Sequence, residues 1–253
     1  MIIRGDQIEA FERSSQAAYA KSAATYLERY EPGLEASVGR PRLEEVALQG
    51  LEAARRHDLA SGAALQLYLE LMVSLGCGFD TDPQFDWLRP YLDKREDMDP
   101  VERARLIHFH VIAYLNRAHG TSNEFARAAL ERTLEILPRF AGNANAREVR
   151  GSDMLAWLHP ERTDFVSPEA AAQLLDAARG QAAEAGLQAP HGTNLMLVLM
   201  FLFGHQIGAD PLYPWAGEAL RGASAGMDRL GCLVEGARNH LSAVLRRHRK
   251  EQF

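Results

Sequence analysis

The sequence predicts an all-α protein made of two tandem, repeated helical units. Three observations carry that expectation. Alanine, Leu, Glu and Arg dominate, and apolar residues recur at helical spacing with almost no two-residue alternation. Asp-Pro and Ser-Pro dipeptides, which suit helix starts, punctuate the chain. The chain also repeats itself. Leu67-Tyr68-Leu69-Glu70-Leu71-Met72 runs on through Leu75-Gly76, Phe79-Asp80-Thr81-Asp82-Pro83 and Trp87 to Leu92. At an offset of 128 residues, without a gap, come Leu195-Met196-Leu197-Val198-Leu199-Met200, Phe203-Gly204, Ile207-Gly208-Ala209-Asp210-Pro211, Trp215 and Leu220. Nine of those 26 aligned positions are identical, where roughly one or two would coincide by composition alone.

In chain order, Ile8, Phe11, Ala18, Tyr19 and Tyr26 alternate with charged residues and predict an amphipathic helix over about 6–29, ended by Pro32-Gly33. Helices over about 41–57 and 62–75 follow, and Gly76 stops the second. Asp82-Pro83 and Asp210-Pro211 each place an Asp at the N-cap and Pro at the first helical position. The carboxylate accepts free N–H groups, and Pro gives up a donor that lacks a partner there anyway. Asp99-Pro100-Val101-Glu102 adds a Glu three residues on, a capping box, and Thr121-Ser122-Asn123-Glu124 reads as another. Ser167-Pro168 starts a helix with apolar positions Ala171, Leu174, Leu175 and Ala178. These signals divide the chain into about eleven helices, packed as a bundle or short solenoid. The first unit is expected to cover 1–119 and the second 120–253, with His119-Gly120-Thr121-Ser122 as the junction. Phe140-Ala141-Gly142-Asn143-Ala144-Asn145 is the most loop-like stretch.

Composition bounds the function classes. The chain has 253 residues, 25% of them charged, and a net charge of −6. Residues 1–120 hold 14 basic and 19 acidic residues, and the remainder 14 and 15. Neither half is basic, which disfavours nucleic acid as the main partner. Two cysteines, Cys77 and Cys232, in a long chain suggest a reducing compartment. The start, Met1-Ile2-Ile3-Arg4-Gly5-Asp6, does not read as a signal peptide, and the longest apolar run, Leu195 to Phe203, is too short to span a bilayer. A cytoplasmic protein without membrane insertion is expected.

Candidate sites are few. Trp87 and Trp215 occupy equivalent positions after the Asp-Pro dipeptides. They are candidate anchors for a partner, although equivalent bulky residues in repeats usually pack into the core. Asp80-Thr81-Asp82 hints at a Ca²⁺ loop, but the sixth and twelfth positions of such a loop hold Phe85 and Tyr91 instead of Gly and Glu. Cys77 aligns with His205, and the two could face each other across a pseudo-twofold axis and hold a metal. A tolerant helix-end position accounts for them more simply. His108 and His110, two residues apart on a helix, point to different faces. No His has a Glu three residues before it, and the zincin, serine-hydrolase and P-loop motifs are missing. Arg246-Arg247-His248-Arg249-Lys250 reads as cations at a helix C-terminus.

The run Leu71-Met72-x-x-Leu75-Gly76-x-x-Phe79-Asp80-x-Asp82-Pro83-x-x-x-Trp87, with the Met1-Ile2-Ile3 start and a Gln-containing first helix, resembles a family of small helical bacterial proteins. The resemblance covers roughly residues 1–92. In the second unit Ile207-Gly208 replaces Phe-Asp, while Pro214-Trp215 fits the family's Pro-Trp ending better than Asp86-Trp87 does. Members of that family are encoded near secreted toxins and type VI secretion components. The resemblance therefore implies an accessory role as adaptor, chaperone or immunity protein, and it carries over no functional residues.

The expectation is a non-enzymatic, protein-binding chain that needs no cofactor or metal. Its partner would be a protein, such as a secreted toxin or a secretion component. The acidic residues Glu44, Glu45, Asp93, Glu96 and Asp97 of the first unit would steer a basic partner. The rivals are a metal-dependent enzyme with a site between the units and a self-associating structural protein.

Overall fold

The computed structural model describes residues 5–93, 98–141, 151–222 and 228–251. Thirteen α-helices and one 3-10 helix make up the regular structure of those residues, which contain no strand. In the first half they are α1 (Gly5–Tyr30), α2 (Leu34–Val38), α3 (Arg40–Arg56), α4 (Gly62–Leu75), the 3-10 helix Pro83–Leu88, α5 (Arg89–Leu92) and α6 (Pro100–Ala118). The second half holds α7 (Glu124–Ala141), α8 (Gly151–Leu158), α9 (Pro160–Thr163), α10 (Pro168–Glu184), α11 (His191–Phe203), α12 (Pro214–Arg221) and α13 (Arg229–Glu251). The count exceeds the expected eleven because α2, α5 and α9 are one-turn helices whose four or five residues carry no readable period.

Most caps act as their residue types predict. Asp99 Oδ1 accepts from the N–H groups of Val101 and Glu102 at 2.8 and 3.3 Å. Ser167 Oγ accepts from Ala170 N at 3.1 Å, and Asp228 Oδ1 from Gly231 N at 2.7 Å. Two expected starts are corrected. The α7 helix begins at Glu124, not after Thr121. Asn123 sits at φ +57, which breaks the helical path, and the Glu124 carboxylate reaches back to Ser122 N at 2.9 Å. Asp210-Pro211 opens a turn rather than a helix, and α12 starts only at Pro214. The loop-like stretch Phe140–Asn145 lies outside the described residues beyond Ala141.

Residues 40–56 and 168–184, which form α3 and α10, are offset by 128. Their ends match: Leu59 N donates to Ala54 O at 2.9 Å, and Leu187 N to Ala182 O at 2.8 Å. Asp58 and Gly186 both take the left-handed conformation, at φ +55 and +66. An arginine from a later helix ties down each of these ends. Arg103 on α6 donates to His57 O and Asp58 O, and Arg229 on α13 donates to Ala185 O at 2.8 Å. The helices α4 and α11 both end where a glycine, Gly76 at φ +100 and Gly204 at φ +102, turns the chain out of the helix.

Two apolar cores result. One gathers Leu27, Leu43, Tyr68, Met72, Phe79 and Ile107 from the first half, and the other Leu155, Leu174, Met196, Met200, Leu233 and Leu241 from the second. The residues 119–123 between α6 and α7 join the halves. Leu212, although in the second half, is buried in the first core. Gln84, the residue 128 positions earlier, donates from Nε2 to Met200 O at 3.1 Å. The Asp-Pro segment of each half therefore reaches into the other.

Candidate functional site

Where the two halves meet, equivalent residues make reciprocal hydrogen bonds. Asp82 Oδ2 accepts from His205 N at 2.8 Å, and Asp210 Oδ2 accepts from Cys77 N at 2.8 Å. The second oxygen of each carboxylate caps its own segment: Asp82 Oδ1 takes Gln84 N and Asp210 Oδ1 takes Leu212 N, both at 2.9 Å. Both aspartates are buried. Such charge-assisted bonds to backbone N–H groups are strong and directional. Burial pushes the Asp210 carboxyl above the usual range against the bonds it accepts from Cys77 and Leu212. Burial, then the Asp210 charge, pushes the Cys77 thiol well up. The Gly76 and Gly204 backbones lie against each other. A Cβ on Gly76 would sit 2.7 Å from Phe203 O, and one on Gly204 3.3 Å from Leu75 O.

Cys77 and His205 do occupy equivalent places, but each is committed to a different carboxylate. The Cys77 thiol is raised by burial and then by the Asp210 charge beside it, and His205 Nδ1 lies 3.4 Å from Asp82 Oδ2. Among the described residues no group of three or more His, Cys, Asp or Glu is arranged to hold a metal ion. Asp80 is paired within the chain. It accepts from His57 Nε2 at 3.0 Å and from Arg56 at 3.3 Å, and although burial raises its pKa, these partners hold it below the usual carboxylate value.

Beside this contact lie two junctions between the halves. The first is solid. The Arg162 guanidinium lies over the rings of Phe85 and Phe201, at 5.6 and 5.1 Å. Tyr114 packs edge-on against Phe165 at 4.9 Å and Phe85 at 5.9 Å. Around it the His119 and His159 rings lie 6.2 Å apart, tilted by 36°, and burial, followed by the Arg162 charge, pushes both imidazoles down to about 3. The second junction contains a pocket of about 220 Å³. It is walled by α1 and α2 (Tyr30, Leu34), by α4 (Val73, Ser74), by Tyr213 and by α13 (His240, Arg247). Tyr30 Oη and Ser74 Oγ are 3.1 Å apart. Burial, then Arg247, pushes His240 down to about 4, so it is neutral at pH 7. Arg247 contacts Pro32 O and Gly33 O at 3.5 and 3.4 Å and Glu31 at 3.8 Å. It thus serves the junction rather than a solvated tail, while the side chains of His248, Arg249 and Lys250 lie outside the described residues.

The residues singled out in the sequence are scattered. Trp87 is half-buried, 5.1 Å from the Tyr114 ring and 6.5 Å from Phe85. Trp215 is half-buried, 5.7 Å from the His240 ring and 6.3 Å from Phe203. Both indole Nε1 atoms are buried and have no hydrogen-bond partner among the described residues. Glu44 on α3 is tied to Arg40 at 3.4 Å. Glu45 is exposed and accepts from Gln49 at 3.1 Å, and Asp93 is exposed after α5. Glu96 and Asp97 lie outside the described residues. His110 stacks on Tyr91 at 4.2 Å, while His108 is exposed. Sequence reasoning missed the pocket residues. The usable signal was where the repeat fails: Phe201-Leu202 in one half stands against Val73-Ser74 in the other.

One more surface stands out. On α6, Val101, Phe109 and Ile112 are 46%, 66% and 43% exposed. Spacings of eight and three residues place them on one helical face. No described helix is long and apolar enough to cross a membrane. Comparison with protein families, characterised proteins and solved structures finds no significant match to the chain.

Proposed function

We propose that the chain is a tandem duplication of one helical unit that acts without catalysis, as an accessory protein binding another protein. The observation that carries this reading is the apolar face of α6, where Val101, Phe109 and Ile112 stand exposed although burial would favour each. An exposed helical face with anchors at such spacing suits docking against a complementary apolar surface. Glu45 and Asp93 are exposed acids of the same half, and they would speed encounter with a basic partner without adding much affinity. The resemblance of residues 1–92 to proteins encoded near toxins and type VI secretion components supports a toxin or secretion component as that partner, with this chain as adaptor, chaperone or immunity protein. Matched contacts at the 128-residue offset support the duplication.

The test is affinity purification of the tagged protein from its own cells, with mass spectrometry of what co-purifies, alongside a Phe109→Ser/Ile112→Ser variant. One abundant partner, bound by the wild type and at least tenfold more weakly by the variant (about 1.4 kcal/mol), is the expected result. A partner held equally well by both, or none held by either, overturns the reading. Because both side chains are exposed, the variant is expected to retain its stability to within about 0.5 kcal/mol.

A further inference from the structure

The two junctions are built from equivalent positions and filled differently. In the solid junction the space is taken by Arg162, Phe165, Phe201 and Tyr114. The residues 128 positions before the first three are Leu34, Ser37 and Val73. Counted from the caps Asp99 and Asp228, Ala243 on α13 stands where Tyr114 stands on α6. Three aromatic rings and a guanidinium are thus exchanged for short side chains, and all four of these positions line the 220 Å³ pocket. The aromatic partner is kept, since Tyr213 stands where Phe85 stands. The pocket opens to solvent, with Tyr30, Ser37 and Ala243 exposed at its rim. A cleft at positions where the other half carries filling side chains is the kind of space a small ligand occupies.

We propose that this pocket binds a small planar aromatic carboxylate, whose ring takes the place of the Phe201 and Tyr114 rings and whose carboxylate pairs with Arg247. The size limits the ligand to about one ring, since pockets for drug-sized molecules start near roughly 300 Å³. The apolar walls Leu34, Val73 and Ala243 and the face of Tyr213 suit a ring. Arg247 decides the charge. Its contacts with Pro32 O, Gly33 O and Glu31 are all 3.4 Å or longer. A carboxylate offers its fork a shorter, two-pronged pairing. The neutral His240 adds a hydrogen-bonding group without a competing charge, and the Tyr30–Ser74 hydroxyl pair adds another. The site is independent of the α6 face and of any protein partner.

The experiment is calorimetric titration of the whole chain with benzoate, with benzyl alcohol and benzylamine as neutral and cationic probes. Benzoate is expected to bind with one-to-one stoichiometry and at least tenfold more tightly than either control. Val73→Phe, which restores the ring found at Phe201, should leave the chain folded and abolish binding. If that variant does not fold, Ala243→Tyr makes the same test. Arg247→Gln should weaken benzoate at least tenfold and leave benzyl alcohol unchanged. No benzoate binding at millimolar concentration, benzylamine binding as tightly as benzoate, or benzoate binding that survives filling the pocket would each overturn the proposal.

Discussion

Replacing Gly76 with alanine probes the contact between the halves at its tightest point. Gly76 sits at φ +100, ψ 150, a region open almost only to glycine, and holding an alanine there costs about 1–3 kcal/mol. The new Cβ would also lie 2.7 Å from Phe203 O, a backbone atom that cannot rotate aside. Moving it drags Gly204 and His205, and with them the bond from His205 N to Asp82. A hydrogen bond to a charged acceptor is worth about 1.5–3 kcal/mol, so Gly76→Ala is expected to destabilise by about 3–6 kcal/mol. Gly204→Ala provides the control. Its φ of +102 gives the same backbone cost, but its Cβ would lie 3.3 Å from Leu75 O, so a loss of about 2–3 kcal/mol is expected. Urea denaturation followed by circular dichroism measures both, with the slope checked to be unchanged. A loss below about 1 kcal/mol for Gly76→Ala, or a larger loss for Gly204→Ala, would refute the account of this contact.

Trp87→Ala and Trp215→Ala should each lower stability by about 3–5 kcal/mol by the same denaturation assay, because both rings pack against neighbouring aromatics; a loss below about 1 kcal/mol together with lost partner binding would make them anchors instead. His159 remains neutral in the fold down to about pH 3, whereas an unfolded histidine takes up a proton below about pH 6.5. The unfolded chain therefore binds more protons between those values, and the stability present above pH 6.5 falls as the pH drops. The loss is about 2 kcal/mol by pH 5 for this one residue, and His159→Gln should flatten the pH dependence of the denaturation midpoint. The Cys77 thiol, raised by burial and by Asp210, should resist iodoacetamide at pH 8 until the chain is unfolded, which peptide mass spectrometry after timed quenching reads directly.

Local chemistry made the helices legible. Asp99, Ser167 and Asp228 cap because a side-chain oxygen within two or three residues of a free N–H needs no tertiary help. Gly76 and Gly204 end helices because their backbone conformation excludes a Cβ. The 128-residue offset was equally plain, because residues 67–92 and 195–220 share nine identical positions without a gap. Tertiary structure decided what those residues do beyond their own segment. Asp82 and Asp210 read as caps, yet each also bonds to the other half, a role set by which backbone N–H arrives from 123 or 133 residues away. Asp210-Pro211 reads as a helix start and makes a turn, although Asp210 caps Leu212 N and bonds to the other half just as Asp82 does at the start of a 3-10 helix. Arg162, which no local sequence signal marks for a role, is buried with its guanidinium over the rings of Phe85 and Phe201. The sequence by itself determined the all-α class and those helix ends that a nearby cap or glycine sets, products of interactions within a few residues. The junctions, one filled and one holding a pocket, depend on volumes contributed by helices far apart in the chain, and only packing sums those volumes.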